Sequence, residues 1–316
     1  MGLEHLKQYK VTHWIYNLLH YRKLRHNRAA YRKYHLRKPL VSSISSKDFP
    51  DKVSSAWLDL GESRVLAPLR EAFQSFDEAT RAGLLDWSER GYLILQGFFT
   101  PELADSIEAE TGRLLAEGKL SFTHDHKLMF ANRLSPLIDG ITRDPGLMGL
   151  LQFILDREVV PFQTINFLKG LGQRAHSDSI HMTTYPLGYL IAVWIALEDM
   201  TPENGPLFYY PGSHRLPYLL NGDFNQGETR FRLGKKDYAD YEDTLAAVIE
   251  KNRLEKKTFL AKKGDVLIWH ANLIHGGSPV LNPKLTRKSM VVHYYARDVI
   301  KYHEITERPS LLESPE

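Results

Sequence analysis

Short apolar and aromatic runs, separated by glycine, proline and asparagine, fill the chain from about residue 158 onward. Runs of this length between turn-forming residues are typical of β-strands. The predicted strands are Val159–Leu168, Tyr189–Glu198, Leu207–Tyr210, Asp265–His270 and Ser289–Tyr295. Several short strands at this spacing predict a double-stranded β-helix, that is, a jelly-roll or cupin-like core.

Helical patterning precedes these strands. It covers Ala67–Arg90 and resumes after Thr100, with a short strand predicted over Gly91–Gly97 between the two. Thr100 is a suitable N-cap, a proline at position 101 is tolerated in the first turn, and Gly118 is a natural stop after a helix that runs to about Glu117. The expected fold class is therefore mainly β with flanking helices.

Three stretches depart from this pattern. Residues 41–60 are rich in serine and contain Pro50, which predicts a linker. Residues 216–263 interrupt the strands with a polar loop, Asn221–Gly234, and a helix near Tyr238–Leu254, so we expect an insertion over the barrel mouth. Residues 301–316 are expected to form a C-terminal tail.

The positive charge of the chain is concentrated at the N-terminus. Residues 1–40 contain ten lysines and arginines and one acidic residue, a charge of +9, so the remaining chain carries −6 of the total of +3. Aromatic and aliphatic residues are interleaved with the basic ones, which predicts a basic amphipathic helix. Two interpretations stay open: contact with an anionic membrane surface or polyanion, or docking on the acidic body or a second subunit.

The absence of cysteine excludes disulfides, thiolate nucleophiles and zinc–thiolate sites, so any metal site must use histidine and carboxylate. The longest apolar run, Leu190–Leu197, is far shorter than the ~20 residues of a membrane-spanning helix. The N-terminus has no signal-peptide pattern, since Glu4 and Lys7 come early. A cytoplasmic location is expected, either free or in peripheral contact with a membrane surface through residues 1–40. No nucleic-acid partner is expected.

The sequence contains one candidate metal site. His176 and Asp178 alternate on an extended segment, so both side chains can point toward one ion. His275 lies 99 residues further on, directly after a predicted strand. Two imidazoles and one carboxylate are the facial triad of non-haem Fe(II) oxygenases, which leaves three coordination positions open. Arg287 begins the next predicted strand, and its guanidinium suits bidentate capture of a carboxylate.

The order of these motifs resembles the phytanoyl-CoA dioxygenase family of Fe(II)/2-oxoglutarate oxygenases, which includes the ectoine hydroxylases. The similar segments, spanning roughly residues 85–297, are Gly91–Leu115, Ile165–Phe167, His176–Asp178, Glu203–Leu207, Pro211–His214, Gly264–Val266, His275–Gly276 and Arg287–Lys288. The resemblance implies that residues 61–300, with the insertion 216–263, form an oxygenase domain that uses Fe(II), 2-oxoglutarate and O₂.

The resemblance also implies roles for individual residues. His176, Asp178 and His275 would bind iron, and Arg287 would anchor the distal carboxylate of 2-oxoglutarate. The further candidates for contact with the cosubstrate are Asn166, Trp194, which is equally consistent with barrel core, and Lys127. Gly277 stands where family members often place a hydroxyl residue, which puts that contact in doubt. Because related halogenases lack the carboxylate ligand, Asp178 favours hydroxylation.

Four other histidines are interpreted without a metal role. We expect His181 to contact substrate or serve structure, His270 to lie in the core, His293 to lie in the barrel interior, and His214 to order a loop. The implied substrate is a small molecule, an acyl compound or a lipid-linked compound. The rival interpretations are a jelly-roll binding or scaffold protein with an inactive metal site, and a cupin-type isomerase or dioxygenase that needs no 2-oxoglutarate.

Overall fold

The computed structural model describes residues 9–123, 126–224, 229, 231–233 and 238–311. Parts of three predicted segments lie outside these residues: the start of the basic segment, part of the loop Asn221–Gly234 and the end of the tail.

The helices and strands of the described residues are numbered in chain order. The α-helices are α1 (Lys10–Leu19), α2 (Tyr21–Leu24), α3 (Asn27–Lys33), α4 (Ser63–Leu66), α5 (Glu78–Leu85), α6 (Trp87–Arg90), α7 (Pro101–Ala116), α8 (Pro136–Thr142), α9 (Pro145–Leu155), α10 (Asn221–Phe224) and α11 (Tyr238–Lys251). The strands are β1 (Tyr92–Leu95), β2 (Phe122–Thr123), β3 (Lys127–Met129), β4 (Val159–Phe167), β5 (Thr183–Tyr185), β6 (Leu190–Ala196), β7 (Leu207–Tyr209), β8 (Lys257–Thr258), β9 (Val266–His270), β10 (His275–Gly277), β11 (Ser289–Ala296), β12 (Ile300–His303) and β13 (Arg308–Pro309).

Two antiparallel sheets form the core. The larger has seven strands in the order β1-β9-β6-β11-β4-β3-β2, and the smaller has the order β10-β7-β8. The five strands predicted from residue 158 onward are confirmed as β4, β6, β7, β9 and β11, and the short strand predicted over Gly91–Gly97 is confirmed as β1, all with ends within about two residues of those expected. A third small sheet, β13-β12-β5, was not predicted.

The large sheet is buried on both faces, which explains why its central strands have continuous apolar runs. On one face Val193, Ile268 and Val292 pack against the flanking helices. On the other face Leu267 and Val291 join residues of the small sheet in a second apolar cluster. This arrangement of two packed antiparallel sheets with outer helices confirms the predicted jelly-roll core.

The helical half of the chain agrees with prediction at α7 and differs before it. The Thr100 side chain accepts a hydrogen bond from the Leu103 backbone N–H (3.3 Å), as expected of an N-cap. The helical pattern of residues 67–90 is divided into short helices and 3₁₀ turns, since Asp77 caps a new helix by accepting from the Thr80 N–H (2.8 Å).

Residues 41–60 pack against the body of the protein. Ile44, Phe49 and Leu58 are buried, and the serines that suggested a linker make specific contacts. Ser45 caps a 3₁₀ turn, and the Ser46 hydroxyl donates to the Glu304 carboxylate. A serine-rich composition therefore reflects capping and buried hydrogen bonds here.

The N-terminal helices and the last described strands meet at one side of the barrel. Leu24 and Tyr31 of the N-terminal helices pack with Ile300 and Tyr302 of β12. The described part of the segment predicted as a tail therefore contains β12 from Lys301 onward and β13. No helix in the described ranges has both the length and the apolarity required to cross a membrane.

The turn before β9 gives a stability test. Gly264 has φ +89°, and a Cβ there would lie 2.1 Å from the Phe99 carbonyl oxygen. Gly264→Ala should therefore destabilise the fold by about 1–3 kcal/mol or more, since both the backbone conformation and the contact are unfavourable for alanine. Thermal unfolding should show the Tm lowered by several degrees.

The matched control for this substitution is Gly112→Ala. Gly112 is an exposed residue of α7, where a Cβ meets no atom within 4 Å. Alanine there should leave the Tm unchanged or raise it. Equal Tm values for Gly264→Ala and the wild type would contradict the steric argument.

Candidate metal centre

His176 and His275 are brought together by a reciprocal pair of backbone hydrogen bonds. The His176 N–H donates to the His275 carbonyl and the His275 N–H donates to the His176 carbonyl, each at 2.9 Å. In an antiparallel bridge, opposite residues project their side chains to the same side. The two imidazole centroids are consequently 4.4 Å apart.

Each of these imidazoles is held in one tautomer. His176 Nδ1 donates to the Arg174 carbonyl (2.9 Å), and His275 Nδ1 donates to the Leu273 carbonyl (3.0 Å). Since a carbonyl can only accept, Nδ1 carries the proton and Nε2 carries the lone pair that can bind a metal. Both Nε2 atoms point toward Asp178.

The third member of the cluster is Asp178, which lies in a 3₁₀ turn just after His176. Its Oδ1 is 3.9 Å from His176 Nε2 and 3.7 Å from His275 Nε2. One ligand atom from each of His176, Asp178 and His275 lies within 4.8 Å of the other two, and all three residues are buried. Atoms at these separations can each lie about 2.0–2.2 Å from one ion between them, so the residues fit a metal.

Asp178 is oriented by a residue that the sequence analysis did not identify. The Trp269 indole N–H donates to Asp178 Oδ2 (2.8 Å), and His293 Nε2 is 3.5 Å from the same oxygen. Oδ1 is thereby left for the metal. The available signal was the alternation of β9, which puts Trp269 on the same inward face as Leu267.

The protonation states suit metal binding. Burial would raise the pKa of Asp178, but the imidazoles of His275, His293 and His176 outweigh it and hold this pKa well below its usual range. Burial lowers the pKa of His176 to about 3. At neutral pH the site therefore presents a carboxylate and a neutral imidazole, the forms that bind metals.

The predicted insertion supports the metal centre from outside. The Ser177 N–H donates to the Tyr241 hydroxyl of α11 (3.0 Å), and Ser177 Oγ lies 2.8 Å from Ser179 Oγ. Tyr241 and Leu245 of α11 pack with Ile274, the neighbour of His275. The helix thus holds both ligand-bearing segments in place.

The cluster opens into a cavity of about 630 Å³ that is also lined by Arg287. Arg287 is 5% exposed, and its Nη1 donates to Ser289 Oγ (3.0 Å). Its Nε has no hydrogen-bond partner among the described residues. Burial lowers the pKa of Arg287 to about 10, which still leaves it protonated at neutral pH. A buried cation with unused donors is suited to an anionic ligand.

Of the other predicted cosubstrate contacts, Trp194 and Lys127 line the cavity and Asn166 does not. Trp194 is 1% exposed, so it is part of the core and part of the cavity wall at once. Asn166 needs correction, because alternation along β4 turns Ile165 and Phe167 toward the cavity and Asn166 away from it. Its Nδ2 donates to Thr111 Oγ1 of α7 (3.1 Å), on the helix-covered face.

The histidines outside the triad also have defined places. His181 and His303 line the cavity with their ring nitrogens 3.3 Å apart, and burial lowers their pKa values to about 3 and about 4. His270 lies in the core, where its Nε2 donates to Asp59 (2.9 Å). His293 is buried inside the barrel as expected, and His214 is buried in its loop.

Comparison with known proteins agrees with this geometry. Residues 87–289 match the sequence profile of phytanoyl-CoA dioxygenase (PhyH). The ectoine dioxygenase of Sphingopyxis alaskensis is 25% identical over 211 residues, which cover 61% of this chain and 68% of that protein.

Solved structures resemble the fold at lower identity. The non-heme alpha ketoglutarate dependent carbocyclase SnoK, from nogalamycin biosynthesis, has a TM-score of 0.59 at 17% identity and covers 75% of this chain and 89% of that one. EctD from S. alaskensis, crystallised with 2-oxoglutarate and 5-hydroxyectoine, has a TM-score of 0.58 at 20% identity, with coverage of 76% and 84%.

The hydrogen bond from Trp269 to Asp178 can be tested by Trp269→Phe. Phenylalanine keeps an aromatic ring but cannot donate to Oδ2, so the carboxylate loses its fixed orientation. Loss of such an outer contact should weaken metal binding about 10- to 100-fold. Anaerobic calorimetric titration with Fe(II), or with Mn(II) as its substitute, measures the change.

Trp57→Phe is the matched control for this titration. It also removes an indole hydrogen bond, to the Phe153 carbonyl (2.8 Å), but at a position outside the cavity. Its metal affinity should equal that of the wild type. Wild-type affinity in Trp269→Phe would show that Asp178 is oriented without the indole.

Proposed function

This chain belongs to the phytanoyl-CoA dioxygenase family of Fe(II)/2-oxoglutarate-dependent oxygenases, and on that premise we propose that it hydroxylates an organic substrate at an iron held by His176, Asp178 and His275. The observation that carries the proposal is the geometry of the triad. Two imidazoles with fixed Nε2 lone pairs and one oriented carboxylate oxygen converge at the end of a cavity that a buried arginine also lines.

The bound groups would supply the oxidation. Fe(II), 2-oxoglutarate and O₂ together provide an oxidant for hydroxylation, with succinate and CO₂ as the products of the cosubstrate. The protein would provide ligand geometry, orientation and a largely apolar cavity. Three protein ligands on one face leave room for the keto-acid end of 2-oxoglutarate and for O₂.

Arg287 is the proposed partner of the distal carboxylate of 2-oxoglutarate. Its guanidinium is buried on the cavity wall, held by Ser289, and stacked over the Phe167 ring at 5.1 Å. These contacts restrict its orientation, and its Nε has no hydrogen-bond partner among the described residues. Trp194 and Lys127 are proposed as further contacts, since both line the same cavity.

The remaining cavity wall supports a partly apolar substrate. It includes Phe162, Met182, Tyr295 and Tyr302, with the neutral imidazoles of His181 and His303 beside them. We therefore propose a small-molecule, acyl or lipid-linked substrate whose reacting carbon lies against an apolar surface. The two imidazoles offer hydrogen bonds to a polar group on it.

The rival interpretations are less well supported by these contacts. A scaffold protein with an inactive metal site has no need for the hydrogen bonds that fix both imidazole tautomers and the Asp178 carboxylate. A cupin-type isomerase or O₂-only dioxygenase has no carboxylate cosubstrate for the buried Arg287 to bind.

His275→Ala tests the ligand assignment. Removal of one imidazole should reduce iron binding sharply and abolish succinate formation from 2-oxoglutarate. The fold should persist, since alanine keeps both backbone hydrogen bonds to His176. Iron content by elemental analysis and succinate by mass spectrometry provide the readouts.

His20→Ala serves as the histidine control, because His20 lies on the N-terminal segment outside the cavity. It should retain iron and succinate formation. A His275→Ala protein with normal iron content and normal succinate yield would refute the assignment.

Arg287→Ala tests the cosubstrate. Loss of a charge-assisted pair of about 1.5–3 kcal/mol should raise the KM for 2-oxoglutarate by roughly 10- to 150-fold. Metal affinity should barely change, because Arg287 is not in the ligand cluster. Arg287→Lys should recover only part of the loss, since an ammonium cannot reproduce the two-pronged geometry.

The half-buried Arg143, which pairs with Asp139 on α8, supplies the arginine control. Arg143→Ala should leave the KM for 2-oxoglutarate unchanged. The anchor role fails if Arg287→Ala also has an unchanged KM.

A further inference from the structure

Helix α1 presents its apolar residues to solvent. The exposed side chains of this helix are Val11 (55%), Trp14 (44%), Ile15 (48%), Tyr16 (43%), Leu18 (50%) and Leu19 (77%). The spacing of Val11, Trp14, Ile15 and Leu18 places them on one face, and Leu19 extends it. We call these five residues the apolar stripe. Single exposed apolar residues are ordinary, but a continuous stripe on one helix marks an interaction surface.

The opposite face of α1 is held to the protein by polar contacts. Asn17 is the buried residue of the helix, and its Nδ2 donates to the Val41 carbonyl (3.0 Å). Lys10 pairs with Glu307 (2.6 Å), and the Arg308 guanidinium stacks over the Tyr16 ring at 4.5 Å. These contacts orient the helix so that the apolar stripe points outward.

A basic cleft of about 510 Å³ lies beside the stripe. We call this site the basic cleft; among its lining residues are Tyr21, Arg28, Tyr31, Arg32, Arg37 and Lys38. Lys38 pairs with Asp48 (2.7 Å), but in the described ranges no carboxylate pairs with Arg28, Arg32 or Arg37. Cationic side chains without carboxylate partners suit an anionic group such as a phosphate.

The basic cleft also contains a buried polar group that is not satisfied. Tyr31 is 4% exposed, and its hydroxyl has no hydrogen-bond partner among the described residues. A buried hydroxyl without a partner costs free energy, and a ligand in the cleft that accepted its hydrogen bond would remove this cost.

The apolar stripe and the basic cleft form one surface. Leu19 ends the stripe, and Tyr21 begins the cleft two residues later. The Tyr21 hydroxyl accepts a hydrogen bond from Arg28 Nη2 (2.9 Å), which joins the end of the stripe to the cationic wall.

We propose that this surface docks the protein on a lipid bilayer that contains anionic lipids. The apolar stripe would enter the interface between head groups and acyl chains, and the basic cleft would bind a lipid phosphate. A free phosphate would leave the stripe without a partner. A second copy that docked through the same surface would bring one +9 segment against another, so charge complementarity favours the bilayer.

The docking surface shares a wall with the metal-centre cavity. Arg308, which stacks on Tyr16, lines that cavity, and so does Ser310, whose carbonyl accepts from Asn27 Nδ2 (3.0 Å). A bilayer bound to α1 would therefore lie next to the strand pair that closes the cavity.

Vesicle co-sedimentation of the full-length protein tests the proposal. Phosphatidylcholine vesicles containing phosphatidylglycerol should bind the protein, with affinity that falls as salt rises, and pure phosphatidylcholine vesicles should bind it weakly. Ile15→Glu/Leu18→Glu should reduce binding at least tenfold, since two anchoring side chains are lost from the interface. Arg32→Gln/Arg37→Gln should reduce it roughly 25-fold, at about fivefold for each charge.

The matched control is Leu69→Glu/Leu281→Glu, which changes two leucines that are 74% and 70% exposed elsewhere on the protein. It should bind vesicles like the wild type, and all variants should show wild-type circular dichroism. Neither measurement depends on turnover, so the result is independent of the proposed function.

Three results would overturn the proposal. One is equal binding of the Ile15→Glu/Leu18→Glu variant and the wild type. Another is dimerisation of the wild type, abolished in this variant, with no vesicle binding. The third is binding of inorganic phosphate by the cleft without any vesicle binding.

Discussion

The reciprocal hydrogen bonds between the backbones of His176 and His275 are the constraint on which the site depends. They join two segments that are 99 positions apart in the chain and place both imidazoles on one side of the pair. Two further contacts stabilise this pair. The β10 strand pairs with Tyr209 of the small sheet, and the Tyr241 hydroxyl accepts a hydrogen bond from the Ser177 N–H on the other segment. A metal centre of this kind needs a complete barrel, because neither segment can position its ligand alone.

The buried polar atoms around the metal centre divide into satisfied and unsatisfied ones. Both imidazole Nδ1 atoms and the outer oxygen of Asp178 have partners, so the ligands cannot rotate. In contrast, Nε of Arg287 and Nε1 of Trp194 have none among the described residues, and both side chains line the cavity. Since unsatisfied buried donors are costly, these atoms mark where a bound anion or polar ligand is expected to complete the structure.

The N-terminal helices and the last described strands connect the metal-centre cavity to the protein surface. The N-terminal helices pack on β12, and β12 and β13 form one wall of the cavity. A helix such as α1, whose apolar side faces solvent, is unfavourable in water unless another phase or partner covers that side. The same packing that closes the cavity thus presents the apolar stripe and the basic cleft outward.

Local periodicity and residue chemistry determined the five main strands, the capped helix α7 and the triad of His176, Asp178 and His275, because alternation, capping and ligand type are properties of short segments. The direction in which a side chain points, and the group that it contacts, were decided by the tertiary structure. Asn166 is turned toward Thr111 and away from the cavity. Trp269 orients Asp178 from β9, a strand whose sequence pattern indicated only apolar burial. For the same reason, the sequence did not indicate the contacts of the serines in residues 41–60 or the strands β12 and β13. The Ser46 hydroxyl donates to Glu304, 258 positions away, and β12 pairs with the distant β5; no local pattern encodes which distant group will meet them.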